Sequence, residues 1–296
     1  MSPFRHLVSV CSLLYGLLNL TFWCVPLLLI VLTRALVPGS AARLQGALNG
    51  IYRSAVSVND WWFRHILGYR WLAPEATLDR NATYLVIANH QSWADSFLLQ
   101  MAVVHRGPIL KVLVKDELTR WPILGLIFKA YDFPRLKRRA GNPEQEPERR
   151  QQDRERIWQA CEALKRAPAA MLIYPEGTRF TPAKHAAVLE KPGSESYRRL
   201  LPPRPGGFTT VLEALRGHAV EVLDVSIRYP ESTRFWQFLS GGMEEPEVCI
   251  EQIPVSTISD PGEWLQARWR LKDQWLAGAP EDAEPVSPEA ARRRRG

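Results

Sequence analysis

A chain of 296 residues that is 46% hydrophobic and 23% charged can bury a sizeable apolar core, as one α/β unit with appended segments or as two small domains. Its net charge of +7 is partly local, because Arg292 to Arg295 are all arginine, and no nucleic-acid-binding motif accompanies it, so nucleic acid is not expected as a partner. Cys11, Cys24, Cys161 and Cys249 show no Cys-x-x-Cys spacing and the six histidines form no ligand pattern, which excludes a disulfide-rich scaffold and predicts no structural metal.

The first element runs from Leu7 to Thr33 without a charged residue. As a helix it would extend about 40 Å, against a hydrocarbon core of about 30 Å. Pro26 is expected to kink it, since proline removes one helix hydrogen bond. A signal peptide is the competing reading, with Arg5 before the apolar run and the small residues Gly39 to Ala42 after it, but the run is far too long for one. Only Arg5 precedes the segment while Arg34, Arg43 and Arg53 follow, which places the rest of the chain on the cytoplasmic side. Next, Leu44, Leu48, Ile51, Tyr52 and Ala55 recur at helical spacing ahead of Trp61-Trp62-Phe63, an interfacial composition. Three arrangements stay open: a spanning helix, a helical hairpin embedded in one leaflet, or, for residues 41–68, a helix packed on the following domain.

Further on, apolar runs at 84–88, 109–114, 169–174, 220–228 and 247–253 alternate with helical patterns, which predicts a layered α/β domain. A helix is expected over 92–104, and a charged amphipathic one over 149–165 with Ile157, Trp158, Cys161 and Leu164 inward. Residues 140–148 and 181–206 read as loops, 261–276 as a last helix and 277–296 as a disordered tail. The division is thus 1–38, a membrane-spanning or membrane-embedded helix; 39–70, an interfacial helix; 71–276, the α/β domain; and 277–296, the tail. Arg135, Lys137, Arg138 and Arg139 form a basic cluster that suits a solvated surface or anionic lipid equally.

Two short motifs carry the chemistry. Asn89-His90-Gln91-Ser92-Trp93-Ala94-Asp95 follows the 84–88 run, so His90 falls on a strand-to-helix turn five residues before Asp95. Tyr174-Pro175-Glu176-Gly177-Thr178-Arg179 follows the 169–173 run and brings a carboxylate, a flexible glycine and a guanidinium to a second strand end. Locally, Ser92 could simply cap the helix with Asp95 near its positive end. A histidine held by a carboxylate suits a general base, with Asp95 fixing the imidazole tautomer. The Arg179 fork suits a phosphate, and Gly177 lets the backbone approach it closely. Glu176 is expected to orient Arg179 or an acceptor hydroxyl, or else to be a strand-end structural carboxylate.

The pair resembles the glycerolipid acyltransferases that include the 1-acylglycerol-3-phosphate (lysophosphatidate) acyltransferases. Lys115-Asp116-Glu117-Leu118, Trp121-Pro122, Gly125 and Asp132-Phe133-Pro134-Arg135 are similar to that family's intermediate block, and Pro205 to Phe208 and Leu223 to Ile227 to its later elements. Tyr174 and Phe180 stand where the simplest bacterial members have Phe and Ser. The run from Asp132 to Arg138 and the stretch from Lys191 to Ser194 look more like the lysocardiolipin-acyltransferase branch and bacterial inner-membrane acyltransferases.

The resemblance implies a central mixed sheet flanked by helices, and transfer of a fatty acyl group from acyl-CoA or acyl carrier protein to a lysophospholipid hydroxyl at the inner membrane, with no cofactor. It implies His90 and Asp95 as catalytic residues, Glu176, Gly177, Thr178 and Arg179 as substrate-binding ones, with Lys115 and Arg135 as further phosphate ligands, and Asn89 and Ser92 as supports of the turn. Two other functions compete. One is a serine hydrolase using Ser92, although Gly-x-Ser-x-Gly is absent. The other is a non-catalytic membrane adaptor on the same fold.

Overall fold

The computed structural model describes residues 1–70, 77–136, 146–190, 197–229, 234–241 and 245–278. In chain order the elements are α1 (Pro3–Leu36), α2 (Ser40–His65), β1 (Thr83–Ala88), α3 (Ala94–Val104), β2 (Leu110–Val112), β3 (Val114–Lys115), α4 (Pro122–Ala130), β4 (Arg135–Leu136), α5 (Glu146–Arg166), β5 (Ala170–Ile173), α6 (Pro182–Leu189), α7 (Pro205–Ala214), β6 (Ala219–Arg228), α8 (Phe235–Phe238), β7 (Glu247–Pro254) and α9 (Pro261–Leu276).

Five strands form the central sheet in the order β2-β5-β1-β6-β7. β1 pairs in parallel with β5 and β6, β2 in parallel with β5, and β7 runs antiparallel to β6 at the edge, so the sheet is mixed. Every residue of β1 and β5 is buried, as continuous apolar runs covered on both faces require. The register sets up the site. Ile87 lies opposite Ile173, so His90 and Glu176, each three residues further on, emerge at the same end of neighbouring strands.

α1 and α2 form an antiparallel hairpin fastened by polar groups. Asn19 Nδ2 donates to the Ala55 carbonyl and to Asn59 Oδ1, each at 2.9 Å. Trp62 Nε1 donates to Ser12 Oγ at 3.0 Å, and Tyr15 stacks on Trp62 with ring centres 4.1 Å apart. The helix runs through Pro26 without interruption. Among the described residues α1 is the one helix long and apolar enough to cross a membrane. Its outer face is a stripe of exposed apolar side chains, Phe4, Leu7, Leu14, Leu18, Phe22, Val25, Leu29, Leu32 and Leu36, spaced by about one helical turn except for the two-turn step from Leu7 to Leu14.

Several expectations are corrected. The 109–114 run divides: β2 joins the central sheet, while β3 pairs in parallel with β4 in a separate two-stranded sheet. Part of the expected 181–206 loop is helix α6, started by Thr181, whose side chain accepts the Lys184 amide, and by Pro182 at the first helical position. In α5, Ile157, Cys161 and Leu164 are buried at intervals of four and three residues, but Trp158 is 36% exposed because it lies about 100° round the helix from Ile157. The 92–104 helix starts at Ala94. Lys137, Arg138 and Arg139, most of the 140–148 loop and all but the first two residues of the expected tail lie outside the described residues.

Candidate active site

The turn after β1 is built around one carboxylate. Asp95 is fully buried, and its Oδ2 accepts the Gln91 N–H at 2.7 Å, the Ser92 N–H at 2.9 Å and His90 Nδ1 at 2.9 Å. Its Oδ1 accepts the Tyr229 hydroxyl at 2.6 Å. Oδ2 already accepts two backbone N–H groups, so the arrangement suits an Nδ1–H donor from His90 and leaves Nε2 out of that contact. Tyr174 stacks on the imidazole, centres 4.0 Å apart and planes 20° apart, and fixes the ring's rotation. Burial first, and then the charge of Asp95, hold the Tyr174 and Tyr229 hydroxyls protonated well above their ordinary range.

The backbone of His90 is tied to the second motif from both sides. Its N–H donates to Glu176 Oε1 at 2.9 Å, and its carbonyl accepts the Phe180 N–H at 2.7 Å. Glu176 is 1% exposed, and its other oxygen accepts the Leu201 N–H at 3.0 Å. Burial pushes its carboxyl up to about 8, against the pull of these two donors. Glu176 therefore braces three chain segments. Asn89 does similar work: its amide exchanges two 2.8 Å hydrogen bonds with the Ile227 backbone. The Ser92 hydroxyl is buried and accepts the Ala94 N–H at 3.2 Å, a contact within the turn.

Gly177 adopts φ +67°, which only glycine takes at little cost, and the Arg204 guanidinium lies 3.4 Å from where a Cβ would be. Lys184 Nζ donates to Thr178 Oγ1 at 2.6 Å and to the Arg179 carbonyl at 3.0 Å, so Thr178 anchors the turn. The Arg179 guanidinium lies over the Trp93 ring, 4.6 Å from its centre. Asn89, His90, Ser92, Asp95 and Glu176 to Arg179 are thus brought together. Lys115 and Arg135 lie on the paired strands β3 and β4, with Arg135 exposed and the Lys115 side chain outside the described residues.

Tyr229, Trp93, Leu201, Lys184 and Arg204 carry contacts that the motifs did not announce. Tyr229 had one signal, its place two residues after the Leu223 to Ile227 block; the rest depend on loop paths that spacing does not encode.

Beside the turn is an apolar cavity of about 330 Å³ between α1, α2 and α3, lined by Tyr15, Trp23, Leu27, Val56 and Phe97 and reaching Ser96, the neighbour of Asp95. Among the described residues no group of His, Cys, Asp and Glu could hold a metal ion.

A histidine backed by a buried carboxylate thus stands at the ends of parallel strands, with an apolar cavity reaching the helix that carries that carboxylate. Residues 73–229, more than half of the chain, match the acyltransferase family, and the chain belongs to it. It is 27% identical over 239 residues to the human 1-acyl-sn-glycerol-3-phosphate acyltransferase gamma, covering 75% of this chain and 60% of that one. It is 32% identical over 121 residues to lysocardiolipin acyltransferase 1 of Gallus gallus, covering 37% of this chain and 32% of that one. The chain spans about 60% or less of the length of these curated relatives. The crystal structure of the 1-acyl-sn-glycerophosphate (LPA) acyltransferase PlsC from Thermotoga maritima has the same fold, with a TM-score of 0.54 at 16% identity over 94% of this chain and 97% of that one.

Proposed function

We propose that the chain moves a fatty acyl group from a thioester donor, acyl-CoA or acyl carrier protein, to the free hydroxyl of a lysophospholipid, foremost 1-acyl-sn-glycerol-3-phosphate. The observation that carries this is the 2.9 Å contact of His90 Nδ1 with the buried Asp95 carboxyl, which supports Nε2 as the base. His90 takes the acceptor's hydroxyl proton as the oxygen attacks the thioester carbonyl. The tetrahedral intermediate then expels the thiolate, which is protonated by the imidazolium and leaves as thiol. Arg179 holds the acceptor's phosphate, with Lys115 and Arg135 as further cationic candidates, and the apolar cavity takes an acyl chain. The human relative's name supports this acceptor.

Thiol release by the purified chain in lipid, with a panel of lysophospholipids and both donors, tests the proposal. Release that requires lysophosphatidate is the expected result. Arg179→Ala should raise the KM of the acceptor more than that of the donor. Equal effects on both would remove the phosphate assignment, and no release with either donor would leave the membrane-adaptor function in its place.

The hairpin is best read as embedded in one leaflet of the inner membrane, on the cytoplasmic side, where four free cysteines stay reduced. Near the start of α1, Ser9 Oγ donates to the Trp236 carbonyl at 2.8 Å and His6 accepts Trp236 Nε1 at 3.0 Å; near its end, Leu27, Ile30 and Val31 pack into the core. A helix bound to one domain at both ends lies along that domain. In a cysteine-free background, a cysteine placed at Pro38, in the turn between α1 and α2, should not react with an impermeant maleimide from the side opposite to a cysteine at Arg70. Reaction from opposite sides would establish a spanning helix.

A further inference from the structure

Arg179 and Trp93 belong to the two different motif turns, and the pairing of β1 with β5 brings those turns face to face. The guanidinium lies over the indole at 4.6 Å, and among the described residues no carboxylate pairs with it. That distinction matters chemically. An ion pair would occupy the in-plane N–H donors that a phosphate needs, whereas stacking uses only the π face and leaves all five donors in the plane. The Arg179 backbone is separately fixed by Lys184 on its carbonyl, so the direction of the long side chain is left to its contact with Trp93.

Packing does not account for the indole. Trp93 is 53% exposed, while its neighbours Ser92 and Ala94 are buried. An exposed tryptophan next to a membrane-bound hairpin could instead anchor at the lipid interface, and that role is separable by experiment.

We infer that Trp93 is a positioning residue: its ring holds the Arg179 guanidinium flat beside the catalytic turn, with the N–H edge presented to the phosphate of the acceptor. This rests on the acceptor reading given above and adds a residue to which no motif assigns a role. The aromatic face, not the identity of tryptophan, is what the contact requires, so phenylalanine should substitute in part.

Steady-state kinetics of the full chain in lipid test it, with Trp93→Ala, Trp93→Phe, Arg179→Ala and the Trp93→Ala/Arg179→Ala double variant, beside flotation on phosphatidylglycerol vesicles. Trp93→Ala should raise the KM for lysophosphatidate about fivefold, leaving donor KM and kcat near wild type, and Trp93→Phe should recover much of the loss. In the Arg179→Ala background the Trp93 substitution should add nothing, because the two act as one unit. Flotation should be unaffected. An unchanged acceptor KM, equal rises for both substrates, additive effects in the double variant, or a KM rise that tracks weaker flotation would each overturn the inference while the proposed activity stands. A wild-type chain that fails to acylate lysophosphatidate would bring down that activity and this inference together.

Discussion

His90→Ala is expected to lower kcat by about 10²–10⁴-fold, roughly 3–5 kcal/mol of barrier, while leaving the fold intact. The stability half follows from the bonding of Asp95. Without the imidazole its carboxylate still accepts two backbone N–H groups and the Tyr229 hydroxyl, so nothing buried is orphaned on that side. Asp95→Ala should behave differently. It strips partners from the Gln91 and Ser92 amides and the Tyr229 hydroxyl as well as from His90, at about 1–3 kcal/mol for each buried group left unpaired. Turnover at saturating donor, read beside thermal melting by circular dichroism, separates the two. A His90→Ala chain as active as wild type would remove the base assignment, and an Asp95→Ala chain as stable as wild type would refute the account of that turn.

Glu176→Ala should rank beside Asp95→Ala in lost stability, by roughly 2–6 kcal/mol, because the His90 and Leu201 amides both lose their acceptor inside the protein. Activity should fall with it, through displacement of the His90 backbone. Glutamine is no remedy, since its NH₂ would face one of those N–H groups. The charge state adds a pH signature. The carboxyl is raised from an ordinary 4.5 to about 8 in the folded chain, so between these values the folded state binds more protons than the unfolded one. The contribution of this group to stability is therefore greatest at low pH and declines as pH rises through that window. Urea unfolding of wild type and Glu176→Gln at about pH 5 and about pH 8 should show the variant's deficit shrinking with pH. A deficit that stays constant between the two pH values would mean that the carboxyl is already ionised at the lower one.

The strands were legible in the sequence because buried parallel strands are unbroken apolar runs; 84–88 and 169–174 predict β1 and β5 almost to the residue. Helix α9 was equally plain as the 261–276 pattern, and the structure starts it with the Asp260 cap and Pro261. The break between β2 and β3 was not, since hydrophobicity runs through Leu113 while the chain changes sheets. In the site, the partnership of His90 with Asp95 could be read from five-residue spacing on one turn. The bracing by Glu176 could not, because it depends on strand register and on the path that brings Leu201 back to the turn. Trp93 was written inside the first motif, yet nothing in its spacing says that its ring meets a residue 86 positions later.

The wall that α1 and α2 lend to the apolar cavity has a kinetic consequence. On the proposed placement of that wall in a leaflet, an acyl chain would enter sideways from the lipid without crossing water, and the encounter would take place in two dimensions. The rate then follows the mole fraction of lysophospholipid in the surface, and diluting the acceptor with inert lipid should slow the reaction even when its bulk concentration is unchanged.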